Sequence, residues 1–462
     1  MISVTKTYFF GLIRKFIYNS SIMITKRILI LFLFIGISAV AQEKKWTLQE
    51  CVDYAIKNNI SVKQSELDLK TSDIEKLEAI GGFLPTLSGN ANYSINTGAN
   101  INPATNQFEN QTFKSFSASA SSNITLFNGL ANWKTLQRTK LSRIANEYRL
   151  DKMKDDIALS IANSYLQILF NKEQLKVQKN QNQITKENIK RTQELIDAGA
   201  IPAGDIYELN ATDATQEQQI ISTENALLIS KISLCQTLLL DNYATFDISD
   251  EAIDIPMTSI ENESQEAILE KAKEAVKDIR IAESNVSIAK KDLSITRSSY
   301  LPTLSGFVGY NTRWSESTVL SFADQLSLFD GTSIGLQLNV PIFNGFATRG
   351  RVQRSKVSLQ KTELQLKQTE LDLEKNVYQA YNDVVNAKKS FEAAQKTLEA
   401  RKLANDFAKE RFEVGLMNSF DFTQSTVNFE NAQSEVLRTK YDYIFRTKIL
   451  EFYFGIPLIQ KQ

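Results

Sequence analysis

The side chains of this sequence that could carry out chemistry are its carboxylates and its two cysteines, because histidine is absent from all 462 residues. A chain without histidine can form no His-based catalytic triad and no His-ligated metal or haem site. No glycine-rich phosphate loop or cysteine cluster takes their place, and no pair of carboxylates stands out from solvated helix faces. We therefore expect a protein that is not an enzyme and that uses no cofactor or metal ion.

The two cysteines, Cys51 and Cys235, both lie in apolar helical patterns. A cysteine in such a position behaves as a small hydrophobic residue. We therefore expect both side chains to pack in a core rather than to form a disulfide.

The charged residues balance, with 53 basic against 53 acidic, and they are interleaved rather than clustered. This balance gives no electrostatic reason to bind nucleic acid, which we do not expect. Glycine and proline are sparse, at 17 and 7 residues, while long polar tracts carry spaced apolar residues. Such a composition is typical of long helices.

The chain repeats itself. The stretch "FLPTLSG" from Phe83 returns as "YLPTLSG" from Tyr300, an offset of 300 − 83 = 217 residues. Other pairs keep the same order at an offset of 216: "TLFNG" from Thr125 with "PIFNG" from Pro341, and "DAGAIPAGDI" from Asp197 with "EVGLMNSFDF" from Glu413. A nearly fixed offset across so much sequence indicates a duplicated unit rather than a scattered motif.

Each copy contains a very long amphipathic helix. Apolar residues recur at steps of three and four over Ala131–Ala198 and again over Ala347–Val414, with polar residues between them and no proline. At 1.5 Å per residue each run spans roughly 100 Å. Helices of this length predict coiled-coil packing or a helical tube.

Each long helix ends in a turn that leads to a returning helix. Gly199 and Gly415 stand where a helix end favours a positive φ, and Asp205 and Asp421 follow a few residues later. This pattern predicts two antiparallel helical hairpins. The returning helices are expected over Ala211–Leu240 and Val427–Tyr453.

Between the helices the hydrophobic period changes to two. In "KSFSASASSNITLF", Phe116, Ala118 and Ala120 share one face and serines share the other. Strands of this kind, about ten residues long with one apolar face, have the length that crosses a bilayer. Four strands are expected, at about 86–97, 113–127, 303–314 and 332–343, paired as two hairpins with a polar loop in each.

Each copy also has two junctions between helix and strand. Proline disfavours the helical conformation in the residue before it, so "LP" ends a helix where a strand begins. "FNG" marks the return to helix, because Asn-Gly favours a turn. The junction residues are Pro85, Asn128 and Gly129 in the first copy and Pro302, Asn344 and Gly345 in the second.

Four strands cannot close a membrane barrel alone, because open sheet edges are not tolerated in lipid and single-chain barrels use at least about eight strands. The chain is therefore expected to oligomerise. Two copies would give about eight strands with a filled interior, and three would give about twelve with an open lumen. A trimer is the better expectation if the protein conducts anything large.

The N-terminal region predicts export. Lys26 and Arg27 precede the apolar run 28–37, and Ala39 and Ala41 precede Gln42, which fits a signal peptide over residues 1–41. Residues 1–22 fit a start codon assigned too early. A membrane anchor is the alternative, but the run is shorter than the roughly 20 residues that a spanning helix needs. The expected organisation is repeat 1 over 42–240, a linker or belt over 241–262, and repeat 2 over 263–462.

The order of a signal peptide, "WTLQECVDYAIKNN", "LPTLSG", "LFNG", a long helix and a glycine-tipped hairpin, followed by its repetition, resembles the TolC family of outer-membrane efflux and secretion proteins. The resemblance covers nearly all of the chain after residue 41. It implies a mainly α fold with membrane β structure: a homotrimer with a twelve-stranded outer-membrane barrel, continued by an α-helical barrel through the periplasm. It also implies a passive exit duct that works with a periplasmic adaptor and an inner-membrane pump.

In this family, rings of acidic residues on the helix after the tip narrow the periplasmic entrance. The resemblance of "VGLMNSFDF" to that tip implies that Asp421 is a gate residue, and three copies around an axis would repel one another and favour cations. The family pattern has a second aspartate where this sequence has Gln424, so less charge is expected. Asp205 occupies the equivalent turn of the first copy. Helix N-terminal capping is the alternative role for both aspartates.

The two hairpin tips are the implied adaptor contacts, and a plain helix-hairpin turn is the alternative. These tip residues are Gly199, Ala200 and Ile201 in the first copy and Val414, Gly415, Leu416, Met417 and Asn418 in the second.

Two other classes of protein were weighed. A structural coiled coil of the periplasm or cell surface explains the helices but leaves the four alternating strand segments unexplained. A diffusion porin explains strands but not the long helices, and the last expected strand ends at Phe343, far from the C-terminus. The sequence does not specify the cargo or the identity of the adaptor and pump.

Overall fold

A computed structural model describes residues 45–101, 107–199, 201–250, 263–316 and 318–456. The expected signal peptide, residues 251–262 of the expected linker, and Ala200 at the first tip lie outside the described residues. The elements of the first half are β1 (Lys45–Trp46), α1 (Leu48–Asn58), α2 (Ile60–Gly81), β2 (Thr86–Ile101), β3 (Phe108–Phe127), α3 (Ala131–Asp197), α4 (Asp205–Leu238) and β4 (Asp247–Ile248). Those of the second half are α5 (Gln265–Ala275), α6 (Lys277–Ser298), β5 (Thr303–Ser315), α7 (Phe322–Leu328), β6 (Gly331–Asn339), α8 (Ala347–Glu413) and α9 (Ser419–Phe454).

The long helical hairpins that the sequence predicts are present. Helices α3 and α8 each have 67 residues, and each ends one residue before its expected end. The returning helices begin earlier than expected, at Asp205 instead of residue 211 and at Ser419 instead of residue 427. The difference arises because their first turns carry few buried apolar residues, so the hydrophobic period becomes visible only further along.

The four membrane-type strands form one antiparallel sheet in the order β2-β3-β5-β6. The central pair, β3 and β5, joins the two halves of the chain, with Ala120 opposite Tyr310. Because residues opposite each other share a face, the apolar positions of all four strands fall on one side of the sheet. That side is exposed in the single chain, for example at Leu87 (80% exposed) and Ile334 (78%).

The strand bounds differ from the sequence expectation at several ends. Strand β2 extends to Ile101 and β3 begins at Phe108, so the first hairpin is longer than expected, and β5 ends one residue later, at Ser315. Strand β6 ends at Asn339, not at residue 343. Pro341 explains this early end, since proline has no N–H to donate to a strand ladder.

The connection between β5 and β6 contains helix α7 where only a polar loop was expected. Ser321 caps this short helix, since its Oγ accepts a hydrogen bond from the backbone N of Asp324 at 3.2 Å. Gln325 fixes the helix to the strand: its Nε2 donates to the backbone O of Ser315 at 3.1 Å, and its Oε1 accepts from the backbone N of the same residue at 2.9 Å.

The first core lies where β1 and β4 pair in parallel beside helix α3. Tyr165 of α3 binds this small sheet because its hydroxyl donates to the backbone oxygens of Trp46 (3.3 Å) and Ser249 (3.2 Å). Part of the expected linker, residues 241–250, is therefore packed against the helices. Cys51 and Cys235 are buried in this core and are not disulfide-bonded, as predicted.

The second core joins α5, α6, α8 and α9 around Ile268, Val377, Val384 and Leu450. The two cores together hold both hairpins along one axis, with the sheet at one end and the hairpin tips at the other. Among the described residues, no helix is both long and apolar enough to cross a lipid bilayer.

Candidate functional site

The junction residues lie at the boundary between helices and sheet. Pro85 and Pro302 each directly precede a strand. Before each proline a tight turn closes the helix: the backbone N of Leu84 donates to the O of Gly81, and the N of Leu301 donates to the O of Ser298, both at 2.9 Å.

The returns from strand to helix use two successive left-handed residues. Gly129 and Leu130 have φ of 67° and 63°, and Gly345 and Phe346 have φ of 60° and 64°. Asn128 supports the first of these turns, because its Oδ1 accepts from the backbone N of Asn132 at 3.3 Å. Asn344 makes the matching contact to the backbone N of Thr348 at 3.5 Å.

The first return also touches the second half of the chain. A Cβ at Gly129 would come within 2.9 Å of both the Ser298 carbonyl oxygen and the Leu301 Cβ. The Ser298 hydroxyl donates to the Gly129 oxygen at 2.8 Å. At Gly345 the same test finds no atom within 4 Å.

The first tip connects α3 to α4. Gly199 has φ of 71°, which fits the left-handed conformation expected after a helix end. Ile201 follows in the turn and is partly exposed. Asp205 is the first residue of α4, whose N-cap position is Gly204. Asp205 therefore does not cap the helix, although its charge favours the N-terminal end of the helix dipole.

The second tip connects α8 to α9. Gly415 has φ of 75°. Val414 and Leu416 are 69% and 70% exposed, and Met417 is partly exposed. Asn418 is the N-cap, because its Oδ1 accepts from the backbone N of Asp421 at 2.8 Å. The capping alternative for Asp421 is therefore wrong: that residue donates its backbone N–H to the cap.

The two tips contact each other. The Ser419 hydroxyl donates to Asp205 Oδ1 at 3.2 Å, which joins the starts of α9 and α4. Arg191 of α3 pairs with Glu413 of α8 at 2.8 Å. These polar contacts are partly exposed, so each contributes only about 0 to 1 kcal/mol to stability.

The acidic and amide side chains expected at the gate are exposed on the first turns of α9. Asp421 is exposed and accepts from Asn418 Nδ2 at 2.9 Å. Gln424 is exposed and donates to Asn428 Oδ1 at 3.5 Å. Behind them Phe422 is buried and stacks on Phe412, with ring centroids 4.7 Å apart. The apolar stack fixes α9 to α8 and leaves the polar side chains free to face solvent.

A cavity of about 260 Å³ lies between α3, α4 and α9, one to three turns from this tip. Glu430 lines it and accepts from Gln216 Nε2 at 2.7 Å. Burial raises the pKa of the Glu430 carboxyl to about 7, while hydrogen bonds from Gln181 and Gln216 oppose that rise. The sequence analysis missed this cavity, because the residues that form it come from three separate helices.

The comparisons with known proteins agree with this geometry. The family model described as "Outer membrane efflux protein" matches residues 51–238 and 268–454, one segment in each half of the chain. No curated protein matches the sequence significantly.

Solved structures share the fold at low sequence identity. The outer-membrane channel OprN is 15% identical, with a TM-score of 0.75 over 89% of this chain and 90% of that one. The Campylobacter jejuni CmeC outer membrane channel is 18% identical, with a TM-score of 0.73 over 88% of this chain and 85% of that one. The Vibrio cholerae outer membrane protein VceC is 14% identical, with a TM-score of 0.72 over 88% of this chain and 96% of that one.

Proposed function

Because this chain belongs to the outer membrane efflux protein family, we propose that three copies of it form one continuous duct from the periplasm through the outer membrane. The protein is an outer-membrane efflux channel, with its helical part in the periplasm. It is a passive duct, and the family match supports this function rather than that of a structural coiled coil.

The sheet carries the proposal of a ring. Strands β2 and β6 are its edges, and each is paired on one side only in the single chain. In a bilayer every backbone N–H and C=O must be paired, so such edges have to be joined to another copy. Three four-stranded sheets would give about twelve strands, which leaves room for an open lumen. The exposed apolar face that includes Leu87 and Ile334 would then contact lipid.

The tips are proposed to work as the gate and as the contact with a periplasmic adaptor. Asp421 would form a ring of three carboxylates around the axis, and its exposure at the start of α9 supports this role. Gln424 would add polar but uncharged groups, and Asp205 would hold the first tip to the second through Ser419. An inner-membrane pump would supply the energy and select the cargo.

The apolar side chains at the second tip support an adaptor contact. Val414 and Leu416 are more than two-thirds exposed. A photoreactive residue at position 416 is expected to cross-link to a periplasmic adaptor, identified by mass spectrometry. The matched control is position 364 on α8, where Leu364 is 68% exposed but lies far from the tip. Equal cross-linking of the adaptor at both positions would argue against a tip contact.

The experiment that tests the ring measures mass and location together. The mature protein is extracted from outer membranes in mild detergent and its oligomeric mass is determined by native mass spectrometry. A trimer in the outer-membrane fraction is the expected result. A soluble monomer or dimer in the periplasm would overturn the proposed duct.

A further inference from the structure

The cavity between α3, α4 and α9 has an unusual charge balance. Helix α3 contributes no charged side chain to its lining, α4 contributes Glu208, and α9 contributes Glu430. No lysine or arginine lines the cavity. An enclosed space with two carboxylates and no basic residue attracts positive charge.

Two oxygen atoms in the same cavity lack hydrogen-bond partners. Thr423 is only 6% exposed, and its Oγ makes no hydrogen bond. The Oε1 atom of Gln178 is likewise buried and accepts no hydrogen bond. A buried polar atom without a partner costs about 1 to 3 kcal/mol, so these atoms point to a ligand that donates hydrogen bonds.

The carboxylate of Glu430 is already held in place. Gln216 donates to it from α4, and Gln181 also hydrogen-bonds to it from α3. Both glutamines are buried, at 5% and 7% exposure. Their positions leave the carboxylate fixed at the cavity wall, where it can accept a further hydrogen bond.

We propose that this cavity binds a small organic cation, with an ammonium group held by Glu430 and the oxygens of Thr423 and Gln178. The apolar side chains of Val177, Ala211 and Val427 line the same cavity and would contact the body of the ligand. The volume of about 260 Å³ is slightly below that of drug-sized pockets, so the ligand is the size of a substituted benzylammonium ion.

Binding depends on the proton of Glu430. The empty cavity raises the pKa of this carboxyl to about 7, because burial disfavours its charge. A cation beside the carboxylate favours the charged form, so ligand binding and proton release are linked. Binding is therefore stronger at pH 8 than at pH 5.5, where a proton competes for the same oxygens.

The test uses 4-fluorobenzylammonium as the probe, observed by fluorine NMR with the purified full-length protein in detergent. We expect saturable line broadening that weakens at pH 5.5. Glu430→Gln keeps the size of the side chain and should weaken binding by about tenfold or more, since a charge-assisted hydrogen bond is lost. Thr423→Val removes one acceptor at nearly constant volume and should weaken binding severalfold.

Two controls make the result decisive. Glu435→Gln removes a carboxylate on the same helix that pairs with Arg438 outside the cavity, and it should leave binding unchanged. The neutral probe 4-fluorobenzyl alcohol has the same body and should not bind saturably. The proposal fails if the alcohol binds as well as the amine, if Glu430→Gln binds as wild type does, or if no saturable binding occurs. Because the cavity lies within one chain, these results do not depend on the proposed ring.

Discussion

Ser419, the first residue of α9, donates its hydroxyl hydrogen to Asp205, the first residue of α4, across 3.2 Å. The two returning helices of the chain are thus joined where both begin. Together with the ion pair of Arg191 and Glu413, this contact spans the two hairpins at the tip. The starting points of the two helices cannot separate without breaking it.

Loss of these contacts should favour a wider tip. The double variant Arg191→Ala with Ser419→Ala removes about 1 to 2 kcal/mol of contact between the hairpins, which changes a two-state ratio by a factor of about 5 to 30. We expect a larger mean conductance in planar bilayers. Lys179→Ala is the control, because Lys179 pairs with Glu224 inside one hairpin. Equal conductance in both variants would show that the tip contacts do not restrain the opening.

The charge of Asp421 should set the ion selectivity of the proposed gate. Asp421→Asn keeps the shape of the side chain and removes three charges from the proposed ring, so cation preference should fall. Gln424→Asp adds three charges one turn further and should increase it. Reversal potentials in a salt gradient measure both effects. Shifts in the same direction for both variants would contradict the proposed ring of charge.

Gly129→Ala should destabilise the fold. Alanine at φ of 67° costs about 1 to 2 kcal/mol, and its Cβ would also meet Ser298 and Leu301 at 2.9 Å. We expect a loss of about 2 kcal/mol or more, measured by thermal unfolding. Gly350→Ala is the opposite control: Gly350 lies inside α8 with open space around it, so alanine should stabilise the helix by about 0.5 to 1 kcal/mol. A neutral result at position 129 would mean that the junction adapts.

Glu430→Gln should change stability in a pH-dependent way. The carboxyl pKa is about 7 in the fold against an ordinary 4.5, so between these values the unfolded chain has lost the proton that the folded chain keeps. Wild-type stability therefore falls as pH rises through this window, while the glutamine variant escapes the cost. The variant should gain up to about 3 kcal/mol over wild type between pH 4.5 and pH 8.

The control for this pH dependence is Glu435→Gln. Arg438 lowers the pKa of the Glu435 carboxyl, so that residue contributes stability above its ordinary pKa and loses it as pH falls. Relative to wild type, the two variants should therefore shift in opposite directions as pH rises. A parallel shift in thermal unfolding would contradict the assigned environment of Glu430.

The cysteines should resist modification in the folded protein. Burial raises the pKa of the Cys235 thiol to about 11, and Cys51 is completely buried. Since the thiolate is the reactive form, both should react with a thiol reagent only after unfolding. Lys402→Cys in a variant without the two native cysteines provides an exposed thiol for comparison. Native thiols that react as fast as this one would place the first core open to solvent.

Helix length was predictable from sequence and helix starts were not. The ends of α3 and α8 follow from an uninterrupted hydrophobic period and a glycine at each stop. The start of α9 depends on Asn418, whose side chain forms the cap that the sequence analysis considered for Asp421. A capping residue acts through one local hydrogen bond, and several polar residues near a tip could equally form it.

The cavity illustrates a second limit of sequence reasoning. Glu430 looks like many other glutamates on the polar side of a helix. Its surroundings arise only because Gln181 and Gln216 come from two other helices that pack on the same side. Periodicity describes one helix at a time and contains no information on such three-helix environments.

The Gly129 junction has a consequence for how a ring would close. It packs against the end of α6, at Ser298 and Leu301, so one seam between the two halves is already formed inside each chain. Gly345 is its counterpart 216 residues later, and the region that matches the end of α6 is the end of α2, near Leu84. In the proposed ring this second seam would join neighbouring subunits. Gene duplication would then have made each molecule its own template: the covalently linked halves already hold the angle at which the next molecule must dock.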